Sequence, residues 1–352
     1  MKRTITWILA LALLCTLAVG CATQEKAAEP AKKVAYITGT GGLGDKSFND
    51  LGYQGIETLM GEGVTCDVAE PQAVAEIDGI ARNFAEDGGY ALIVVMGGDA
   101  VDSVSGVAAD YPEQAFMLID GMAGMDNVRS VAVNQNETGF LAGAYAGILM
   151  KEGILANGAP ETVIGAVGGM DIPLIRGILT GFECGVRYVN PDAKVLLSFV
   201  GDWGDPTKAS ELAQSMYEQG ASIVFQAAGA SGLGVIECAK KQNRFAIGYD
   251  GNQNIMAPES MVGSAIRGIG EIIADAAHSA LDGSFVGGDH VISLVDNEFA
   301  SKILTEDVAI EIPDAVMEQY GRAREVLLSG KYVVPAQSDE IDAFLTALGK
   351  FE

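Results

Sequence analysis

Gly39-Thr-Gly41-Gly-Leu-Gly44 follows a short apolar run and opens a helical pattern, the arrangement that lets a glycine backbone approach a pyrophosphate. Asp67 stands about where an acid would bind a ribose. The same stretch is almost a phosphate loop, Gly39-x4-Gly44, but Asp45 intrudes before Lys46-Ser47, and a carboxylate there opposes a triphosphate. A tight strand-to-helix turn accounts for the glycines without any ligand. Gly229-Ala-Ser-Gly232-Leu-Gly234 is a second such turn, whose N–H groups either receive ligand oxygens or simply reverse the chain. Catalysis finds no positive support. No Gly-x-Ser-x-Gly is present, and His278 and His290, the only histidines, have neither a triad nor a zinc-type context. With 47 Asp and Glu in the chain, a chance pair of carboxylates carries no weight. The expectation is a binding protein rather than an enzyme, with no cofactor and no metal.

The first 21 residues say where such a protein works. Lys2 and Arg3 precede an apolar run from Ile5 to Val19, then Gly20 and Cys21. That is the plan of a secretory signal peptide over residues 1–20. Leu17-Ala-Val-Gly-Cys21 resembles a bacterial lipobox, which implies acylation of Cys21, and residues 22–32 then read as a flexible tether. Export also argues against a dinucleotide at Gly39–Gly44. The net charge of −25 is a poor surface for nucleic acid or anionic headgroups. Cys66, Cys184 and Cys238 have no metal-type spacing and read as buried free thiols.

The remaining chain alternates short apolar runs with amphipathic stretches. Strands are expected at Val34–Thr38, Val64–Val68, Ala91–Met96, Ala115–Ile119 and Val131–Val133, with helices near 48–61, 74–87, 99–110 and 137–151. The rhythm restarts at Thr162. Strands follow at Val163–Val167, Val195–Val200, Ser222–Gln226 and Phe245–Gly248, and helices near 173–188, 207–219, 232–241, 269–281 and 313–328. Such alternation implies parallel sheets covered on both faces. The expected fold is α/β: two similar Rossmann-like lobes hinged about a ligand cleft. The N-terminal lobe is expected at 33–155 with about 264–293, and the C-terminal lobe at 156–263 with about 294–352. Ligands bind at the carboxyl ends of such strands, so the site should draw on turns 39–48, 97–99, 120–121, 168–171, 201–205, 228–232 and 250–253. Candidate ligand contacts there include Gly39, Asp45, Ser47, Asn49, Asp120 and Gly229.

Gly44-Asp-Lys-Ser-Phe-Asn49, Glu137-Thr-Gly-Phe-Leu-Ala-Gly143, Gly181-Phe182 with Asn190-Pro191, Ala227-Ala-Gly229-x-x-Gly232-x-Gly234 and Ile247-Gly-Tyr-Asp250-Gly-Asn-Gln253 occur in this order. Together they resemble the basic membrane protein family of bacterial lipoproteins, of the purine nucleoside receptor type, over roughly 33–310. The resemblance implies the type I periplasmic-binding-protein fold and the binding component of an ABC importer, holding a base between two aromatic rings. Those rings match Phe48 and Trp203, the latter in Val200-Gly-Asp-Trp203-Gly-Asp205, where the family has Phe. An acid and a base that hold ribose hydroxyls match Asp250 and Arg267, expected to pair across the cleft; Asp250 alone could instead cap the following segment. The family's base-reading Asp is absent, because Gly39 stands in its place, and the acid just before Asp45 is replaced by Gly44. Gly39 leaves room for a bulkier ring, such as a flavin, or for water.

The implied partners are a nucleoside or similar flat heterocycle, a membrane permease, and the membrane itself through Cys21, with the protein a monomer outside the cytoplasm. A sensory lipoprotein with the same cleft, a riboflavin-type ligand, or an exported α/β enzyme remain as alternatives.

Overall fold

Near-continuous Val, Ile and Leu runs become the central strands because both faces of each are covered. In the computed structural model, which describes residues 33–155, 162–297 and 300–351, β1 (Lys33–Ile37) is buried after its first residue and β3 (Tyr90–Met96) throughout. The leader, Cys21, the tether and residues 156–161, at the boundary expected between the lobes, lie outside the described residues.

The first sheet adds β2 (Cys66–Ala69), β4 (Phe116–Ile119), β5 (Val128–Val133) and β11 (Gly288–Ile292), in the order β11-β5-β4-β3-β1-β2, all parallel. The second contains β6 (Val163–Gly168), β7 (Lys194–Phe199), β8 (Ala221–Ala227), β9 (Phe245–Asp250), β10 (Met261–Arg267) and β12 (Ser301–Leu304), in the order β12-β10-β9-β8-β6-β7. Only β12 runs antiparallel. The first five strands of each half therefore repeat one order, 2-1-3-4-5, which reverses direction beside its first strand and opens a crevice there. Strands β10, β11 and β12 have no counterpart among the expected strands, and His290 lies within β11 rather than beside it.

The helices are α1 (Phe48–Gly61), α2 (Val74–Asp87), α3 (Val101–Asp110), α4 (Gln135–Lys151), α5 (Pro173–Val189), α6 (Pro206–Glu218), α7 (Leu233–Gln242), α8 (Ile269–Asp282), α9 (Asp314–Leu328) and α10 (Ile341–Leu348). The expected helix near 99–110 starts as a 3-10 turn, Gly98–Ala100. Pro173 and Pro206 occupy first-turn positions, where a missing N–H costs nothing.

Two helices pack on the sheet of the other half. Helix α4 follows β5, yet Phe140, Leu141 and Tyr145 share a core with Ile164, Phe225 and Val262 of the second sheet. Helix α8 follows β10, yet Ile269, Ile273 and Ala277 share a core with Val34, Tyr36 and Ile56. The chain thus passes between the sheets near Asn134, near Gly268 and near Ser293. Cys184 and Cys238 are buried and Cys66 half-buried, all three free. Burial pushes the Cys184 thiol up to about 12.

Helices α4 and α5 touch backbone to backbone. A Cβ at Gly143 would overlap the Phe182 carbonyl oxygen, and one at Gly185 would overlap that of Phe140. Only glycine permits this approach. Gly185→Ala is expected to lower stability by roughly 1–3 kcal/mol through overpacking, read as a shifted urea midpoint with an unchanged slope.

Candidate functional site

Asp45 builds the first edge of the site. Its carboxylate accepts from the backbone N–H groups of Ser47 (2.9 Å), Asn49 (2.9 Å) and Asp50 (3.1 Å), satisfying donors at the start of α1 that have no helical partner. Burial raises the Asp45 carboxyl above its usual range, against those three bonds. Lys46 takes a left-handed φ of 53° in this loop. The Tyr36 hydroxyl donates to the Asn49 carbonyl at 2.7 Å, fixing Phe48 and Asn49 to β1.

Trp203 stands on the opposite side, in the loop after β7. Ser231 holds that loop: its N–H donates to the Trp203 carbonyl at 2.8 Å and its hydroxyl to the Asp202 carbonyl at 2.8 Å. A Cβ at Gly169 would collide with the indole ring, and one at Gly229 would lie 3.4 Å from it. Glycine at both places makes a floor on which the indole rests.

Between these sides lies a buried ion network. Arg267 Nη1 donates to Asp120 Oδ2 at 3.0 Å and to Oδ1 at 3.2 Å, while Nε donates to Asp250 Oδ1 at 2.7 Å. The arginine side chain is 2% exposed and each carboxylate 5%. Asp250 Oδ2 accepts from the Ser47 hydroxyl at 2.8 Å. Asp120 follows and Asp250 ends the fourth strand of its half, and both take left-handed φ values, 64° and 70°. Burial opposes the charge on Arg267, but the two carboxylates outweigh it and hold the guanidinium protonated. Burial also raises Asp120 above the usual carboxylate range, with Arg267 pulling it back. The guanidinium lies 5.5 Å from the Phe48 ring centre and 5.3 Å from that of Tyr249.

The expected pairing of Asp250 with Arg267 across the cleft is corrected here. Both lie in the second sheet, on neighbouring strands, and Asp120 is the partner from the first sheet. Direct bridging contacts come from Ser47 to Asp250 and from Gln253 Nε2 to the Lys46 carbonyl at 2.8 Å.

These groups line a cavity of about 380 Å³ between the carboxyl ends of the two sheets. The structure brings Gly39, Asp45, Phe48, Asn49, Asp120, Trp203, Gly229, Asp250 and Arg267 to its wall, whereas Ser47 stands behind it, fully buried. The turn expected at 168–171 contributes through Ile172–Ile175, at the start of α5, instead. Asp99, Gln135 and Tyr249 also line the cavity without having been singled out in the sequence. Their signal was position alone: two end or follow a buried strand and one opens α4. A larger groove of about 970 Å³ shares Asp250 and Arg267 but faces Glu271, Asp275 and Lys302, away from both aromatic rings.

The model of the Bmp family, described as ABC transporter substrate-binding protein PnrA-like, matches residues 32–299. An ABC transporter nucleoside-binding protein, BmpA, of Lactococcus lactis is 27% identical, covering 96% of this chain and all of its own. An uncharacterized lipoprotein of Pyrococcus abyssi is 29% identical over 88% of this chain and 83% of its own. Among solved structures, an ABC transporter solute-binding protein of Aeropyrum pernix superposes with a TM-score of 0.79 at 26% identity, over 90% of this chain and 98% of that one.

Arg267→Met removes the cation between two buried carboxylates and is expected to cost roughly 3–5 kcal/mol at neutral pH. Asp120 then has a raised folded pKa with no cation to offset it. An acid raised in the folded state contributes stability below its unfolded pKa and loses it as pH rises through the folded value. The deficit of the variant against the parent should therefore shrink toward pH 4 and widen toward pH 7, measured by urea unfolding across that range.

Proposed function

This chain belongs to the Bmp family of PnrA-like ABC transporter substrate-binding proteins, with the two-lobed fold of type I periplasmic binding proteins, and from that premise we propose that its cleft carries a nucleoside or similar flat heterocycle to a membrane permease. The observation behind this reading is one cavity lined by an aromatic ring from each half, Phe48 and Trp203, above a buried Asp120–Arg267–Asp250 network. A base stacks between the rings; the sugar hydroxyls meet Asp250 and Arg267. The ligand is neutral. Arg267 is the one Lys or Arg among the described lining residues, and its charge is already shared by two carboxylates. A phosphate would find no free cation, so nucleotides should compete poorly.

The lobes we assign are 33–134 with 268–292, and 135–267 with 293–352. This takes α4 out of the first lobe, because its core partners lie on the second sheet. Closure bends the three crossings near Asn134, Gly268 and Ser293. Cys21 carries the lipid anchor and holds the monomer outside the cytoplasmic membrane, a reading supported by the lipobox-like Leu17–Cys21 and by relatives named as lipoproteins.

Mass spectrometry of small molecules released by denaturing the purified protein, followed by calorimetry with what is found, tests the reading. A nucleoside bound one to one and recovered unchanged is expected; a chemically altered ligand would point to an exported enzyme. Trp203→Ala and Phe48→Ala should each weaken binding roughly 5- to 150-fold, from about 1–3 kcal/mol of stacking per ring. If both variants bind like the parent, the ligand is not held between these rings.

A further inference from the structure

One acidic side chain in the cavity is left over from the interactions above. Asp45 is occupied by three backbone N–H groups, Asp250 by Arg267 and Ser47, and Asp120 by Arg267. Asp99, in the turn after β3, lines the same cavity and meets only its own backbone N–H among the described residues. Its Oδ1 folds back over Gly97, 2.6 Å from where a Cβ on that glycine would sit, and the side chain stays open to the cavity. Burial among the walls raises its carboxyl above the usual range.

Asn49 supplies a donor on the same stretch of wall. The Gly39 N–H donates to Asn49 Oδ1 at 2.8 Å, which fixes the amide orientation. Asn49 Nδ2 is then left with no protein acceptor among the described residues. A Cβ at Gly39 would lie 3.3 Å from Asn49 Oδ1 and 3.6 Å from the carbonyl of Met96, the residue before Gly97. Both free groups thus flank the junction where the ends of β1 and β3 meet, beside each other in the sheet.

Resting on the nucleoside reading, we propose that Asn49 and Asp99 form a donor–acceptor pair that reads the lactam edge of an oxopurine, with Asp99 the specificity-determining residue. Asn49 Nδ2 donates to the ring carbonyl. Asp99 accepts from the ring N–H beside it and, in a guanine, from the 2-amino group as well. Adenine presents the reverse pattern: its amino group faces the Asn49 donor and its ring nitrogen lone pair faces the carboxylate. A site built around a hydrogen-bonding pair rejects a ligand that leaves both members unpaired.

Calorimetric titration of the purified protein with guanosine, inosine and adenosine tests this. The parent should bind guanosine more tightly than inosine, and inosine more tightly than adenosine. Asp99→Asn and Asp99→Ala, each checked for an unchanged melting temperature, should weaken guanosine roughly 10- to 100-fold and leave adenosine within about threefold, collapsing the preference. A guanosine-to-adenosine ratio unchanged in both variants, or a parent that prefers adenosine, overturns the role of Asp99 while leaving the nucleoside function standing. A parent that binds none of the three overturns the function itself and this inference with it.

Discussion

The Arg267 guanidinium lies between Asp120 and Asp250 with almost no access to water. Removing an ion from water costs several kcal/mol, recovered only when its partners are well placed. Here the partners come from different sheets, so the arginine is satisfied only when the ends of β4 and β9 approach one another. That requirement sets the spacing of the cleft walls. It also sets the charge of the cavity, since one cation shared by two carboxylates has little left for an anionic ligand. The ring centres of Phe48 and Tyr249 lie 5.5 and 5.3 Å from the guanidinium.

The aromatic rings are held in advance of any ligand. Asp45 ties down the loop that carries Phe48, and Ser231 ties the loop that carries Trp203 to the turn at Gly229. Side chains ordered beforehand lose less freedom on binding, so on the proposed reading more of any stacking energy would appear as affinity. The floor at Gly169 serves the same end, because a Cβ there would collide with the indole, whereas one at Gly229 would only touch it.

Much of this was legible in the sequence, for physical reasons that also mark where legibility stopped. Buried parallel strands read as unbroken apolar runs, and β1, β3 and β8 stood out. Strand β10 did not, because Gly263 and Ser264 interrupt it, and β11 is an edge strand carrying Asp289 and His290. Without β10, Arg267 had no sheet to belong to, and its partnership was drawn across the cleft. Helix α4 is buried almost all round, so its periodicity named no face and gave no hint of which sheet it would cover. Phe48, Trp203, Asp250 and Arg267 stand in matched motifs, whereas Asp99 belongs to no motif and needs the geometry of the wall. The repeat itself is written in the sequence: Phe116–Gly121 and Phe245–Gly251 both run from Phe through an apolar stretch to Asp-Gly, which marks Asp120 and Asp250 as equivalent positions.

The exchange of α4 and α8 between the halves has a consequence for how the molecule is assembled. Each half lends the other a helix, as in a domain swap contained within a single chain. A gene fragment encoding one half alone would leave its own sheet bare on one face and present a lent helix with nothing to cover. The halves are therefore not independent folding units despite their matching strand orders. Their contacts join segments far apart along the chain, which favours slow, concerted folding. On the proposed reading of an exported chain, that slowness has a use, since a chain that has not yet closed on itself remains threadable.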